Sequence, residues 1–498
     1  MSIENLKTHL GEIHDLNMAS SILEWDQETK MPAAGANARA AQLATLAKFA
    51  HELFVSNTTE KLLTGLEKES FEYDSDEAAL LRLTRREFEK SSKLPSEFVA
   101  EKSRVKALAL SVWREARATN DFQKFAPNLE QTYALARRKA DYLGFVEHPY
   151  DALLDEYEPG LTARVVETTF ADLRDQTVPL VKAIAAKGPA TDYGILTREC
   201  DEQTQEAFGL EVAQAFGYDL SRGRLDRAAH PFQTAFSRDD VRMTTRYDRA
   251  YFPMALFGTL HETGHALYEL GTAAELARTG LAQGTSLGIH ESQSRMWENL
   301  VGRSRAFWKH WYPRFVAHFP QFSDVSPEEL YKAVNRVQPS LIRVEADEIT
   351  YNLHVMLRFE LEKAMLEGSL QASELPEAWN AKMQSYLGIT PPDDATGVLQ
   401  DIHWSMGLIG YFPTYTLGNI LSVQFLETAK TTIGDTDAMF ANGQYAPLLG
   451  WMRENIHRHG KKFKPEELIE RATGSGITAK PYVAYLTKKF GDIYGLEP

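Results

Sequence analysis

Apolar residues recur at helical intervals over most of the chain. Leu43, Leu46, Phe49 and Leu53 follow one helix face, as do Leu80, Leu83 and Phe88, with Leu94 less regular. From Phe122 to Tyr142 the positions Leu129, Tyr133, Ala136 and Ala140 keep the same period. Two helix starts can be read directly. In Ser326-Pro327-Glu328-Glu329 the serine caps, the proline takes the first turn and Glu329 closes a capping box. Lys464-Pro465-Glu466-Glu467 is a second proline-led start. Alternation with period two is scarce, and its main instance runs from His230 to Tyr247. There Phe232, Thr234 and Phe236 alternate with their neighbours, and Ser237-Arg238-Asp239-Asp240 reads as a turn. Val241, Met243, Thr245 and Tyr247 then alternate against Arg242, Thr244 and Arg246. The pattern predicts a β-hairpin in a mainly α protein.

No internal repeat, low-complexity tract or long Gly/Ser linker divides the chain. Weak breaks at Tyr157-Glu158-Pro159-Gly160 and Ile389-Thr390-Pro391-Pro392 do not amount to domain boundaries. With 498 residues, 43% hydrophobic and 25% charged, the chain can bury a large core and is too apolar to be disordered. Its 54 Lys+Arg against 69 Asp+Glu, a net charge of −15, argue against a general nucleic-acid binder. The single cysteine, Cys200, excludes an intrachain disulfide and a Cys-rich zinc module, and fits a reducing compartment. Met1 to Leu10 carries charges and no apolar signal core, and no apolar run approaches ~18 residues. A cytoplasmic protein without a membrane span is expected.

The most informative stretch is His261-Glu262-Thr263-Gly264-His265. Pro253 can open a helix here, Leu256, Phe257, Leu260, Leu267 and Leu270 fill its apolar positions, and Gly271 can stop it. Two histidines at i and i+4 stand one above the other and can take two corners of a zinc tetrahedron. Glu262, one residue on, can reach a water at the metal without ligating it, the position of a general base. A catalytic zinc needs a third protein ligand. Fourteen residues from Gly288 read as the next helix, with Met296, Trp297, Leu300 and Val301 on its apolar side. In its first turn lies Glu291, 26 residues past His265. His290 and Glu298 are rival ligands; neighbours on a helix point about 100° apart, so His290 and Glu291 do not both face one ion comfortably.

Six segments in order then resemble the thermostable metallocarboxypeptidases of the carboxypeptidase Taq type. They are His230-Pro231-Phe232, Asp240-Val241-Arg242-Met243-Thr244, His261 to His265, His290-Glu291-Ser292-Gln293, Ile342-Arg343-Val344-Glu345-Ala346-Asp347, and Gly397-Val398-Leu399-Gln400-Asp401-Ile402-His403-Trp404. The resemblance implies an elongated, mainly α body with a deep active-site groove and a small β-hairpin or sheet beside the HExxH helix, similar to the neurolysin and angiotensin-converting-enzyme group. It implies a single metallocarboxypeptidase unit over residues 1–498, with an N-terminal helical region (1–157) and a catalytic region (158–498) that holds every motif. It implies one Zn2+ per chain, or Co2+, on His261, His265 and Glu291. It also implies a homodimer that releases C-terminal residues from peptides with broad specificity and disfavours C-terminal proline.

An exopeptidase must recognise a free C-terminal carboxylate, and the arginine fork suits that task. Arg242, Arg246 and Arg343 are candidates; Arg343 matches the family's carboxylate-binding motif. Its alternative is a structural ion pair with Asp347 at i+4 on a helix. The hairpin's edge can hold an extended peptide, and His230 and Arg242 can line that cleft. His403 precedes Tyr411 and Tyr415, expected as donors to the oxyanion, Tyr415 first. Trp404 reads as packing. The expected reaction is peptide hydrolysis by a metal-activated water with Glu262 as general base. An endo-acting oligopeptidase with the same metal chemistry, or a helical scaffold with an accidental HExxH, are the alternatives.

Overall fold

The computed structural model describes residues 2–496. Helices follow the apolar spacing closely. The helix Phe122–Leu143 buries Leu129, Tyr133, Ala136 and Ala140 and is capped by Asp121, whose carboxylate accepts from Lys124 N. Pro327–Val334 starts with the expected capping box, Ser326 and Glu329 exchanging side-chain and backbone hydrogen bonds. Pro465–Thr473 begins at its proline. One apolar cluster extends from Ala109 in the fifth long helix to Tyr494 in the last. A separate cluster gathers Leu6, Leu10, Leu63, Leu80 and Phe88 with Leu276 and Leu281. Among the described residues no helix is long and apolar enough to cross a membrane.

Two local readings are borne out, each with an addition. The stripe Leu43–Leu46–Phe49–Leu53 does form a helix face, on Ala36–Phe54, but that helix fully buries only Ala50, and Phe49 is 52% exposed. This helix packs mainly on Ile3–Thr29, so much of its apolar face has nothing to bury against. The predicted hairpin exists, with strand β2 (Gln233–Ser237) antiparallel to β3 (Asp240–Thr245) and a bulge between Ala235 and Ser237. A third strand, β1 (Leu225–Arg227), joins β3 in parallel, so β3 is central. Three residues are too few for a period-two signal.

The sheet supports the HExxH helix. Val241 and Met243 on one face of β3 pack with Ala266 and Leu270 of Phe252–Leu270. Arg242, pointing the other way, lies over the ring of Trp25 from the N-terminal helix at 4.6 Å. Lys30, just beyond that helix, pairs with buried Asp226 of β1 at 3.1 Å.

Candidate metal centre and active site

His261 and His265 lie on the helix Phe252–Leu270, which opens at Pro253 and ends before Gly271. The next helix is capped by Ser286, whose hydroxyl accepts from Ile289 N. It runs as α-helix over Leu287–Arg295 and continues as a π-helix over Met296–Gly302. Two glycines let the elements approach. A methyl on Gly264 would run into the Gln293 carbonyl oxygen and stand 2.5 Å from Ser294 Cα. A methyl on Gly418, in the helix Pro413–Ile433, would stand 2.5 Å from Glu291 Cβ. The backbones of three helices therefore close around Glu291.

The result is a convergence of three donor atoms. His261 Nε2 and His265 Nε2 are 3.2 Å apart. Glu291 Oε2 lies 3.6 Å from the first and 3.5 Å from the second. Donors about 2.0–2.1 Å from a tetrahedral Zn2+ stand about 3.4 Å from one another. Among the described residues this is the one His/Cys/Asp/Glu group with such spacing. Two imidazole nitrogens and one carboxylate oxygen at these separations fit a divalent ion.

Both rival ligands sit behind the histidines. Glu298 Oε2 is 2.9 Å from His261 Nδ1, and His290 Nδ1 is 2.6 Å from His265 Nδ1. Arg295 ties the carboxylates together, donating from Nε to Glu291 Oε1 at 2.7 Å and from Nη1 to Glu298 Oε2 at 3.1 Å. Burial opposes the charge on Glu298, yet Arg295 and His261 hold its carboxyl down to about 2. Arg295 and the histidines likewise overcome burial at Glu291 and keep it well below the usual carboxylate range. Burial pushes His265 down to about 3. Glu262 is buried, and among the described residues no side chain hydrogen-bonds or ion-pairs with its carboxylate; burial pushes it up to about 7.

A second polar cluster stands beside the first. Arg343 lies in a short 3₁₀ turn, Arg343–Glu345, not in a helix, so the i+4 pair with Asp347 does not form. Asp347 instead accepts from Ile349 N and Thr350 N at the next helix start. The partner of Arg343 is Asp401, at 2.8 Å from Nη2. Arg358, from the helix Thr350–Glu367, donates from Nε to the other Asp401 oxygen at 2.7 Å. The two guanidiniums hold the Asp401 carboxyl far below its ordinary value despite burial. Tyr351 joins the clusters: its hydroxyl accepts from Arg343 Nη1 at 2.8 Å, and Arg295 lies over its ring at 4.8 Å.

The aromatic residues pack against this second cluster. Arg343 lies 4.9 Å from the Tyr415 ring centroid. Tyr415 Oη is 3.2 Å from His403 Nε2, and the Tyr411 and Tyr415 rings meet edge to face at 5.4 Å. Burial lowers His403 to about 4, leaving a neutral ring at neutral pH. Trp404 is packed as expected, donating to Glu362 at 2.9 Å. Arg242 is engaged by Asp240 at 2.8 Å, Trp25 and Phe236, and His230 and Arg246 are exposed. None of these three contacts the His261–His265–Glu291 group. The sequence reading assigned no role to Glu269, Arg295, Tyr351, Arg358 or Asp401. Of these, Arg295 carried a signal, one turn beyond Glu291 on the same helix face.

Comparisons with known proteins agree with this arrangement. The family model described as carboxypeptidase Taq (M32) metallopeptidase matches residues 5–490. The chain is 44% identical to thermostable carboxypeptidase 1 of Thermus thermophilus, covering 99% of each. It is 39% identical to carboxypeptidase 1 of Bacillus subtilis over 97% of each. Among solved structures it is similar to an M32 carboxypeptidase from Deinococcus radiodurans, with a TM-score of 0.96 and 44% identity over 99% of both chains. It is also similar to Trypanosoma cruzi metallocarboxypeptidase 1, with a TM-score of 0.94 and 34% identity over 98% of this chain and 99% of that one. With its convergent His261, His265 and Glu291 and this match over nearly its whole length, the chain belongs to the carboxypeptidase Taq (M32) metallopeptidase family and is a metallocarboxypeptidase.

Proposed function

We propose that the chain, as one catalytic unit, holds a single Zn2+ or Co2+ on His261, His265 and Glu291 and removes C-terminal residues with broad specificity, disfavouring proline. We read it as a cytoplasmic homodimer. The observation that carries the mechanism is the unpartnered, buried Glu262 beside three converging donors. When bound, the ion supplies Lewis acidity to the scissile carbonyl and to the attacking water. Glu262 takes a proton from that water and delivers it to the leaving amine nitrogen. His403 Nε2 lies 3.2 Å from Tyr415 Oη; with the imidazole hydrogen on Nε2, the Tyr415 hydroxyl hydrogen is free for the oxyanion, and Tyr411 packs beside it as a second donor.

Arg343 is the anchor for the substrate carboxylate in this reading. A guanidinium has five N–H groups. Asp401 takes those on Nε and one on Nη2, and Tyr351 takes one on Nη1. One hydrogen remains on each terminal nitrogen, the pair that a carboxylate binds in a fork. The charge balance agrees: among the described residues the one carboxylate paired with Arg343 and Arg358 is Asp401, so the cluster is one anion short. His230, just before β2, and Arg242, on β3, are read as lining for longer peptides.

The test compares free-acid and C-terminally amidated peptides. Arg343→Lys keeps the charge and loses the fork, so it weakens free-acid cleavage about 10-fold or more with metal content intact. Arg343→Ala is worse and narrows the acid-over-amide preference. An unchanged acid-to-amide ratio in a folded Arg343→Ala protein would move the anchor elsewhere.

A further inference from the structure

The two ligand histidines are held from behind in different ways. His261 Nδ1 meets a carboxylate directly, Glu298 Oε2 at 2.9 Å, and that carboxylate is already engaged by Arg295 at 3.1 Å and Arg303 at 3.4 Å. His265 has no carboxylate behind it. Its Nδ1 is 2.6 Å from His290 Nδ1, and His290 Nε2 is 2.8 Å from Glu269 Oε1. Glu269 is buried, at 7% exposure, and among the described residues it pairs with no lysine or arginine. Its other donor is Gly284 N at 3.1 Å, to the same oxygen. The Tyr268 ring stands 5.1 Å from the His290 ring.

Only one set of tautomers satisfies this chain when His265 Nε2 keeps its lone pair for a metal. His265 Nδ1 then carries the hydrogen and donates to His290 Nδ1. His290 carries its own hydrogen on Nε2 and donates it to Glu269. Every nitrogen has one role, and both rings are neutral.

We propose that His290 and Glu269 are positioning residues for the metal: a two-step hydrogen-bonded relay that fixes the tautomer and ring plane of His265 and thereby strengthens its hold on the ion. Glu269 supplies the negative charge and His290 carries its effect to His265. The proposal rests on the reading that His265 is a ligand. It also explains why His290 neighbours a ligand in sequence without being one: on its helix it points toward His265's far side while Glu291 points toward the ion.

The test is zinc affinity of the purified full-length protein, measured by competition with a chromogenic chelator, beside the melting temperature of the metal-free form. His290→Ala and Glu269→Ala are expected to weaken zinc binding about 10–100-fold, the usual cost of losing a group that orients a metal-bound histidine. Glu269→Gln keeps an acceptor and loses the charge, so it falls between wild type and Glu269→Ala. His290→Gln, which retains an acceptor and a donor, recovers part of the loss. Should His265→Ala abolish zinc binding while His290→Ala and Glu269→Ala stay within about twofold of wild type, the ligand reading stands and the relay is overturned. The relay is also overturned if only the metal-free melting temperature falls and affinity does not. A wild-type protein that binds no zinc overturns both. If the alanine variants do not fold, the volume-conserving Glu269→Gln and His290→Gln decide by the same affinity criterion.

Discussion

The cluster around His261, His265 and Glu291 and the cluster around Asp401 are neighbours of opposite residual charge. In the first, the four carboxylates of Glu262, Glu269, Glu291 and Glu298 outnumber two guanidiniums, Arg295 and Arg303, whose partners are Glu291 and Glu298. In the second, Arg343 and Arg358 share one Asp401. Both are buried, where an uncompensated charge is costly. In the proposed reading each is short of one partner, a divalent cation on one side and a substrate carboxylate on the other. Tyr351 touches both, with Arg295 over its ring and Arg343 on its hydroxyl. In that reading the packing of the two clusters sets the spacing between metal and carboxylate anchor, and with it the trimming of chain ends.

The sharpest division between the clusters comes from Glu262→Gln. It removes the proton carrier and leaves the ligands, so activity should fall about 10²–10⁴-fold at near-normal metal content, measured by metal analysis and peptide hydrolysis on the same sample. Parallel loss of metal and activity would make Glu262 part of the ion's cage. Asp401→Ala attacks the other side. Two buried guanidiniums lose their shared anion, and denaturant unfolding should show a loss of about 3–5 kcal/mol. Because the folded Asp401 carboxyl is depressed, this contribution is present above its unfolded value of about 3.8 and is lost as pH falls through the folded value. A near-neutral Asp401→Ala would break the charge comparison outright.

Tyr415→Phe tests chemistry at the seam. Loss of one oxyanion donor should lower kcat about 10²–10³-fold with little change in KM, and Tyr411→Phe should do less. An inverted ranking exchanges their roles. The smallest effect concerns Glu362, which lies behind the second cluster and accepts from Tyr150 Oη, Trp404 Nε1 and Gly410 N. Burial raises it to about 7 from an ordinary 4.5. The folded state then binds the proton more tightly than the unfolded chain, so the contribution of this group is fully present below about 4.5 and is lost as pH rises through about 7. From pH 5 to 8 wild type should lose about 2 kcal/mol relative to Glu362→Gln, read as a narrowing melting-temperature difference. Parallel pH curves would show that Glu362 stays ionised.

The first cluster was more legible than the second for a geometric reason. Its histidines and carboxylates, His261 to Glu298, are at most 37 positions apart, on helices whose periodicity sequence spacing reports. Arg343 and Asp401 are 58 residues apart, and both sit outside regular helix, where spacing predicts no contact. The nearest acid at helical spacing, Asp347, was therefore the natural partner on paper, and a 3₁₀ turn removed it.

Local periodicity by itself determined the mainly helical chain, the proline-led helix starts, the hairpin, and the stacking of His261 and His265 with Glu262 beside them. A helix fixes the angle between its own residues, and these features need nothing more. Which of His290, Glu291 and Glu298 would face the histidines was not determined that way. Glu291 and Glu298, seven apart, fall on nearly one face of an ideal helix. The choice depended on how closely the helices approach at Gly264 and Gly418, on the switch to π-helix at Met296, and on Arg295 bridging both carboxylates. The exposed face of Ala36–Phe54 and the arginine pair on Asp401 were decided at the same level, because rotation and distance between elements are properties of their packing and not of any one segment.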